Sequence, residues 1–239
     1  YNIYGFVRFA DEIVDTFHQH DQGSLLGRFR RDTWLAIEEK ISLNPILNSF
    51  QGTVHRYAIP MELIDLFLKS MEMDLHQETY DESAFRQYVM GSAEVVGLMC
   101  LRIFCWDNKP AYERLKSHAM SLGSAFQKIN FLRDIKADTV GLGRRYFPNM
   151  QNNLLTPSQK ETIEKSIEED LLHAFYGIRN LPRGARLGVY VAYMYYLALF
   201  RKIKNTPAEK VLEKRVRIPN RYKATLLAYS FVKHQLNRI

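Results

Sequence analysis

Apolar residues along this chain recur at the three- and four-residue spacing of helices, and almost nowhere do they alternate as strand residues would. The short exception lies around Val216 to Ile218. The pattern predicts helices near 1–20, 24–41, 45–57, 60–75, 81–105, 109–137, 157–179, 183–204, 207–214 and 220–237. Proline punctuates helix starts rather than hairpins. Asn44-Pro45, Thr156-Pro157-Ser158-Gln159 and Thr206-Pro207-Ala208-Glu209 each set a capping residue before a first-position Pro. The last two add a Gln or Glu three residues after the cap, the capping-box arrangement. The longest stretch without helical pattern, Thr139 to Asn153, contains Gly141, Gly143 and Pro148. With no internal repeat, linker or low-complexity tract, residues 1–239 read as a single all-α domain.

One stretch breaks the usual division between an apolar and a solvated face. In Gln127-Lys-Ile-Asn-Phe-Leu-Arg-Asp-Ile-Lys-Ala-Asp138, the oxygen-bearing residues Gln127, Asn130, Asp134 and Asp138 form one slowly drifting helical stripe. Ile129, Phe131, Leu132 and Ile135 between them anchor the helix in a core. A solvated face explains one such Asp pair. A second stripe far away in sequence argues against it: Asp11 and Asp15 are again four apart, with Arg8 one turn before Asp11. Like charges at this spacing repel on an isolated helix, so two such helices facing each other make best sense with divalent cations between them. Hard oxygen ligands suit magnesium, which keeps several waters and is completed by substrate phosphates. The pattern therefore points to a diphosphate substrate.

Two apolar segments supply the rest of a site. On the helix from Asp81 to Cys105, Gly91, Ser92, Ala93 and Gly97 fall near one side and allow close approach of a neighbouring backbone or an elongated apolar ligand. Tyr88 lies one turn earlier, and Glu94 has no packing explanation. The longest apolar run, Leu187 to Phe200, is too short to span a bilayer and reads as a buried helix. An apolar tunnel is expected between these two helices.

Composition narrows the partners. The chain is 46% hydrophobic with a net charge of +7, which favours anionic ligands or a peripheral contact with an acidic membrane surface. It has no clustered Lys/Arg tract or nucleic-acid motif, so no nucleic-acid partner is expected. Cys100 and Cys105 read as reduced core residues of a cytoplasmic protein, and His18 and His20 do not share a helix face as a zinc site would need. The opening residues do not read as a signal peptide, so none is expected.

Four blocks resemble the squalene/phytoene synthase family, which joins two prenyl diphosphates head to head. They are Tyr4-x-x-x-Arg8-x-x-Asp11-x-x-x-Asp15, Tyr88-Val-Met-Gly-Ser-Ala-Glu-Val-Val-Gly97, Leu122-Gly-x-Ala-Phe-Gln127-x-x-Asn130-x-x-Arg133-Asp134-x-x-x-Asp138, and Gly143-Arg-Arg-Tyr-Phe-Pro148. The chain departs from the family at Ala137, where Glu is frequent, and at Ala93-Glu94, where Ala-Gly is usual. The family also carries an upstream helix with a Ser-rich diphosphate-binding piece. This chain begins just before the first motif, so it is expected to be part of a longer protein.

The resemblance implies an isoprenoid-synthase-type helical bundle around a central cavity. It assigns Asp11, Asp15, Asn130, Asp134 and Asp138 to magnesium, with manganese as a substitute. Arg8, Gln127, Asn130, Arg133, Arg145 and Arg215 go to the diphosphates, and Tyr4, Arg8, Tyr88, Arg133 and Tyr146 to catalysis. Aromatic faces, Tyr196 among them, would stabilise a carbocation at roughly 0.5–2 kcal/mol each. The loop after Asp138 stands where a lid over bound phosphates would sit. The expected product is phytoene from two geranylgeranyl diphosphates, with no nicotinamide; squalene formation would need NADPH. The alternatives are a squalene or dehydrosqualene synthase using farnesyl diphosphate, and a non-catalytic binding or assembly relative. Head-to-tail prenyltransferases and terpene cyclases usually show an Asp-Asp-x-x-Asp run, which is absent here.

Overall fold

Among the described residues, burial of one stripe per helix organises the chain into two large apolar cores that flank a cavity, with a smaller cluster around Leu101, Tyr112, Leu115 and Leu181. The computed structural model describes residues 1–148, 150, 155–213, 215–236 and 239. The described helices are α1 (Asn2–Asp15), α2 (Gln22–Glu39), α3 (Pro45–Tyr57), α4 (Met61–His76), α5 (Glu82–Val89), α6 (Val95–Phe104), α7 (Lys109–Lys136), α8 (Pro157–Arg179), α9 (Arg183–Lys204), α10 (Ala208–Glu213) and α11 (Asn220–Gln235). Among the described residues there is no strand, and no helix is long and apolar enough to cross a membrane.

The first core is built by α1 to α4 with α6, around Phe6, Phe50, Phe67 and Leu68, all fully buried. Phe6 and Phe50 stack at 3.9 Å with their planes 2° apart. The second joins α7, α8 and α9 around Ile129, Leu132, Ile167, Leu199 and Ile203. Since α1 belongs to the first core and α7 to the second, each core presents one acidic stripe toward the space between them.

Several boundaries differ from the sequence pattern for local reasons. The first helix stops at Asp15 rather than near 20, because Asp21 caps α2, its carboxylate accepting from the Ser24 N–H at 3.0 Å. Thr156 and Gln159 form the expected capping box. Thr206 instead turns back and donates its hydroxyl to the Lys202 carbonyl at 2.8 Å. The expected 81–105 helix is divided by a π turn over Met90–Glu94, and a second π turn, Ala137–Gly141, follows α7. Such turns cluster at functional sites. Of the expected elements, positions 214 and 237 and loop positions 149 and 151–153 lie outside the described residues.

Candidate active site

Between the two cores lies a cavity of about 1050 Å³ with an acidic mouth and an apolar body. Its wall includes Tyr4, Arg8, Asp11, Asp15, Tyr88, Gln127, Asn130, Arg133, Asp134, Asp138, Tyr146, Tyr196 and Arg215, so the structure brings these sequence-predicted residues together. Arg145 lies off this wall. Its backbone N–H donates to the Glu78 carbonyl at 2.8 Å and it bridges to Thr79, which fixes the strip after the π turn. Its neighbour Arg144 takes the cavity position instead. Successive side chains diverge on an extended strip, so an Arg-Arg pair in sequence cannot say which one turns inward.

On the α1 wall, Asp15 accepts from Arg144 Nη1 at 2.7 Å. Arg144 is buried, and its Nη2 also donates to the Val14 carbonyl at 2.9 Å, near the end of α1. Asp11 is pushed up to about 7, chiefly by desolvation and next by Asp15, with Arg8 opposing. Arg8 gives its hydrogen bond to Glu12. On the α7 wall, Asp134 is gripped twice, by Arg133 Nε at 3.0 Å and by Arg215 Nε at 2.6 Å. Asp138, on the second π turn, is raised to about 7 by desolvation, then by Asp134 and Asp15. Asn130 Oδ1 accepts from the Tyr196 hydroxyl at 3.1 Å, and Tyr196 stacks on Phe126 at 3.8 Å.

Arg215 reaches Asp134 from an extended segment. Val216 and Ile218 are buried, and the Arg217 carbonyl accepts from Lys202 Nζ at 2.8 Å. The short alternating pattern noted in the sequence is this segment: it buries alternate residues and leaves Arg215 half exposed toward the mouth.

Sequence reasoning missed Asp74 as well as Arg144. Asp74 sits on the buried face of α4, below Phe67, Ser70 and Met71. Its carboxylate accepts from the hydroxyls of Tyr88 at 2.6 Å, Tyr146 at 2.9 Å and Tyr80 at 3.4 Å, with Arg144 Nη1 3.9 Å away. Burial raises it to about 6 against the opposing pull of Arg144, Tyr88 and Tyr146. The available signal was one Asp at helical spacing on a face otherwise apolar but for Ser70, which is costly unless paired.

The apolar body runs between the expected helices. Val96, Gly97, Cys100 and Leu101 of α6 and Gly188, Val189 and Ala192 of α9 line it, joined by Leu122 and Phe126 of α7 and Ile178 of α8. Gly97 also serves packing: a Cβ there would meet the Ala119 carbonyl oxygen of α7 at 2.8 Å. At Gly188 an added Cβ meets nothing within 4 Å.

The donor set fits a hard divalent cation, since every acidic side chain at the mouth offers oxygen. Asp11 and Asp138 are pushed up to about 7 first by desolvation and then by neighbouring carboxylates, so a nearby cation would favour their charged forms. Among the described residues no three His, Cys, Asp or Glu side chains converge into a ready-made cage. Asp15 and Asp134 are engaged by arginines. The arrangement suits cations shared between the two walls and an anionic ligand, and it disfavours an ion held by protein alone.

Known proteins resemble this chain in sequence and in fold. A profile of the squalene/phytoene synthase family matches residues 1–222. The chain is 31% identical over 152 residues to a presqualene diphosphate synthase of Rhodopseudomonas palustris, covering 62% of this chain and 52% of that protein. It is 27% identical over 228 residues to a phytoene synthase of Pseudescherichia vulneris, covering 84% of this chain and 72% of that one. The chain thus spans about half the length of the first of these relatives. A solved dehydrosqualene synthase superposes with a TM-score of 0.80 at 17% identity, covering 98% of this chain and 86% of the other.

Proposed function

Because this chain belongs to the squalene/phytoene synthase family, we propose that it condenses two prenyl diphosphates head to head through a cyclopropyl diphosphate intermediate. The observation that carries the reading is the pair of Asp-x-x-x-Asp walls facing one cavity with an apolar body. Asp11 and Asp15 on α1, with Asn130, Asp134 and Asp138 opposite, would hold magnesium or manganese. The metal would supply Lewis-acid stabilisation of the departing diphosphate.

The remaining work falls to the chain's own side chains. Arg8, Arg133, Arg144 and Arg215 reach the mouth and suit phosphate oxygens, which guanidinium groups bind bidentately. Anchoring both diphosphates there places both allylic carbons at the same end of the apolar body. When one allylic C–O bond breaks, the cation adds to the double bond of the second chain, and proton loss closes the cyclopropane. A second ionisation and rearrangement then give the symmetrical hydrocarbon. Tyr88 and Tyr146 line the cavity, Tyr146 stacked on Phe131 at 4.1 Å, and would add aromatic stabilisation, while the apolar body would keep water from the cation.

For the product we favour phytoene from two geranylgeranyl diphosphates, which ends in proton loss and needs no reductant. Similarity to a phytoene synthase extends along more of the chain than similarity to the presqualene diphosphate synthase. The higher identity of the latter favours a second reading, in which two farnesyl diphosphates are joined. Product analysis separates them. Incubation with magnesium and either the C20 or the C15 diphosphate, without reductant, should give phytoene from the C20 substrate. Preferential conversion of the C15 substrate establishes the second reading.

A further inference from the structure

We propose that Asp74 is a positioning residue for the diphosphate site, acting through Arg144. The inference rests on the proposed function, because it concerns how the acidic mouth is held ready for a metal–diphosphate ligand.

Asp74 lies outside every motif of the sequence, yet its carboxylate joins three segments. It belongs to α4. Tyr88 Oη donates to Oδ2 from the end of α5, and Tyr146 Oη donates to Oδ1 from the strip after the second π turn. Tyr80 Oη, at 3.4 Å from Oδ1, closes the cluster from the α4–α5 connection. Its side chain is 3% exposed, and in so dry a place a charge persists only with partners. The phenols supply hydrogen bonds but no charge. The positive partner is Arg144, 3.9 Å from Oδ1 and itself 7% exposed.

Arg144 is the link to function. Its Nη1 donates to Asp15 Oδ1 at 2.7 Å, and it lies 3.4 Å from the Tyr146 hydroxyl. One buried guanidinium is therefore held between Asp74 behind it and Asp15 at the cavity wall. Without the charge of Asp74, Arg144 keeps Asp15 and the Val14 carbonyl as partners and is drawn wholly toward α1. That shift would bind Asp15 more tightly to arginine and make it a poorer ligand for a cation. The strip carrying Arg144 and Tyr146 would also lose its anchor on α4. This strip, Arg144 to Phe147, is docked on α1, α4 and Glu78, so over these residues the expected lid is a fixed wall.

A double-mutant cycle tests the assignment. Binding of magnesium with inorganic pyrophosphate is measured calorimetrically in the wild type, Asp74→Asn, Arg144→Lys and the double variant, each at a temperature where it is folded. Asp74→Asn should weaken binding about tenfold, and in the Arg144→Lys background it should change binding less than twofold. Equal weakening in both backgrounds, or a lower melting temperature with unchanged binding, overturns the proposal. Should Asp74→Asn not fold, Tyr146→Phe removes one short bond to the same carboxylate. It should weaken binding at least threefold in wild type and not in Arg144→Lys; equal losses would again overturn it. A wild-type protein that turns over prenyl diphosphates but shows no such coupling refutes this inference alone. One that neither binds magnesium pyrophosphate nor turns over refutes the proposed function with it.

Discussion

The walls contributed by α1 and α7 carry the same Asp-x-x-x-Asp spacing but come from different cores, and each treats its two carboxylates unequally. On α1, Asp15 is met by Arg144 at 2.7 Å, while Asp11 is raised to about 7. On α7, Asp134 is held by Arg133 and Arg215, while Asp138 is raised to about 7. Each wall thus sets one carboxylate paired with arginine beside one whose charge is resisted by burial and by its neighbours. The walls differ in where the arginines come from. The partner of Asp15 is buried and anchored on α4, whereas Arg215 is half exposed on an extended segment. This difference predicts a rigid α1 wall and an α7 wall whose outer arginine can exchange Asp134 for phosphate.

The largest effect should come from removing the resisted carboxylates. Asp11→Ala and Asp138→Ala should each lower turnover by about a thousandfold or more, the scale of losing a principal electrostatic stabiliser. Both variants should retain helix content and, without metal, melt at or above the wild-type temperature at pH 8, because each loses a charge the fold resists. Near-normal turnover in either would break the comparison of the two walls.

Exchangeability of the outer arginine can be sharpened next. Arg215→Gln should raise KM for the diphosphate about tenfold with a smaller change in kcat, since the exposed pair with Asp134 contributes little to stability. A fall in kcat at unchanged KM would place Arg215 in the transition state instead.

The pH dependence follows from the sign of the two shifts. Asp11 and Asp138 take up protons more readily in the folded state, near pH 7, than at their ordinary value of 3.8. Their contribution to metal-free stability is therefore most favourable below about 4 and is lost as pH rises through 7. Magnesium with pyrophosphate, bound as proposed, should oppose the loss. At about a hundredfold over Kd it contributes about 2.7 kcal/mol, which for a chain of this size is roughly 5–10 °C in melting temperature. The gain should be larger at pH 8 than at pH 5. Equal gains at both pH values in thermal scans would mean that these carboxylates do not hold the metal.

Smallest of all should be Ala137→Glu. Ala137 is exposed at the start of the second π turn, so a further carboxylate there meets solvent. Melting temperature should move by no more than about 1 °C, as for ordinary surface changes, and turnover by less than about twofold. Loss of folding would show that this edge of the α7 wall is not open.

Helical spacing makes the bundle, both acidic stripes and the two tunnel-forming helices legible in the amino-acid sequence, because period and burial are local properties. What stays hidden there depends on contacts between distant segments. Asp74 gains meaning from three phenols and a guanidinium on other elements, and Arg144 cannot be told from Arg145 without the strip's orientation. For Gly97 the sequence allows either a close backbone neighbour or a tunnel wall, and its closeness to the α7 backbone means that Gly97→Leu would overpack the fold. Gly188, with open space at its Cβ, is the position where Leu should narrow the cavity.

The claim that both walls hold cations together with a diphosphate is tested most directly by counting bound manganese. Free Mn2+ is measured by electron paramagnetic resonance in titrations of the protein with and without inorganic pyrophosphate. Weak uptake of Mn2+ alone is expected, because no ready-made cage exists among the described residues, and uptake at least tenfold tighter with pyrophosphate. Equal affinity in the two titrations, or no uptake in either, would contradict it.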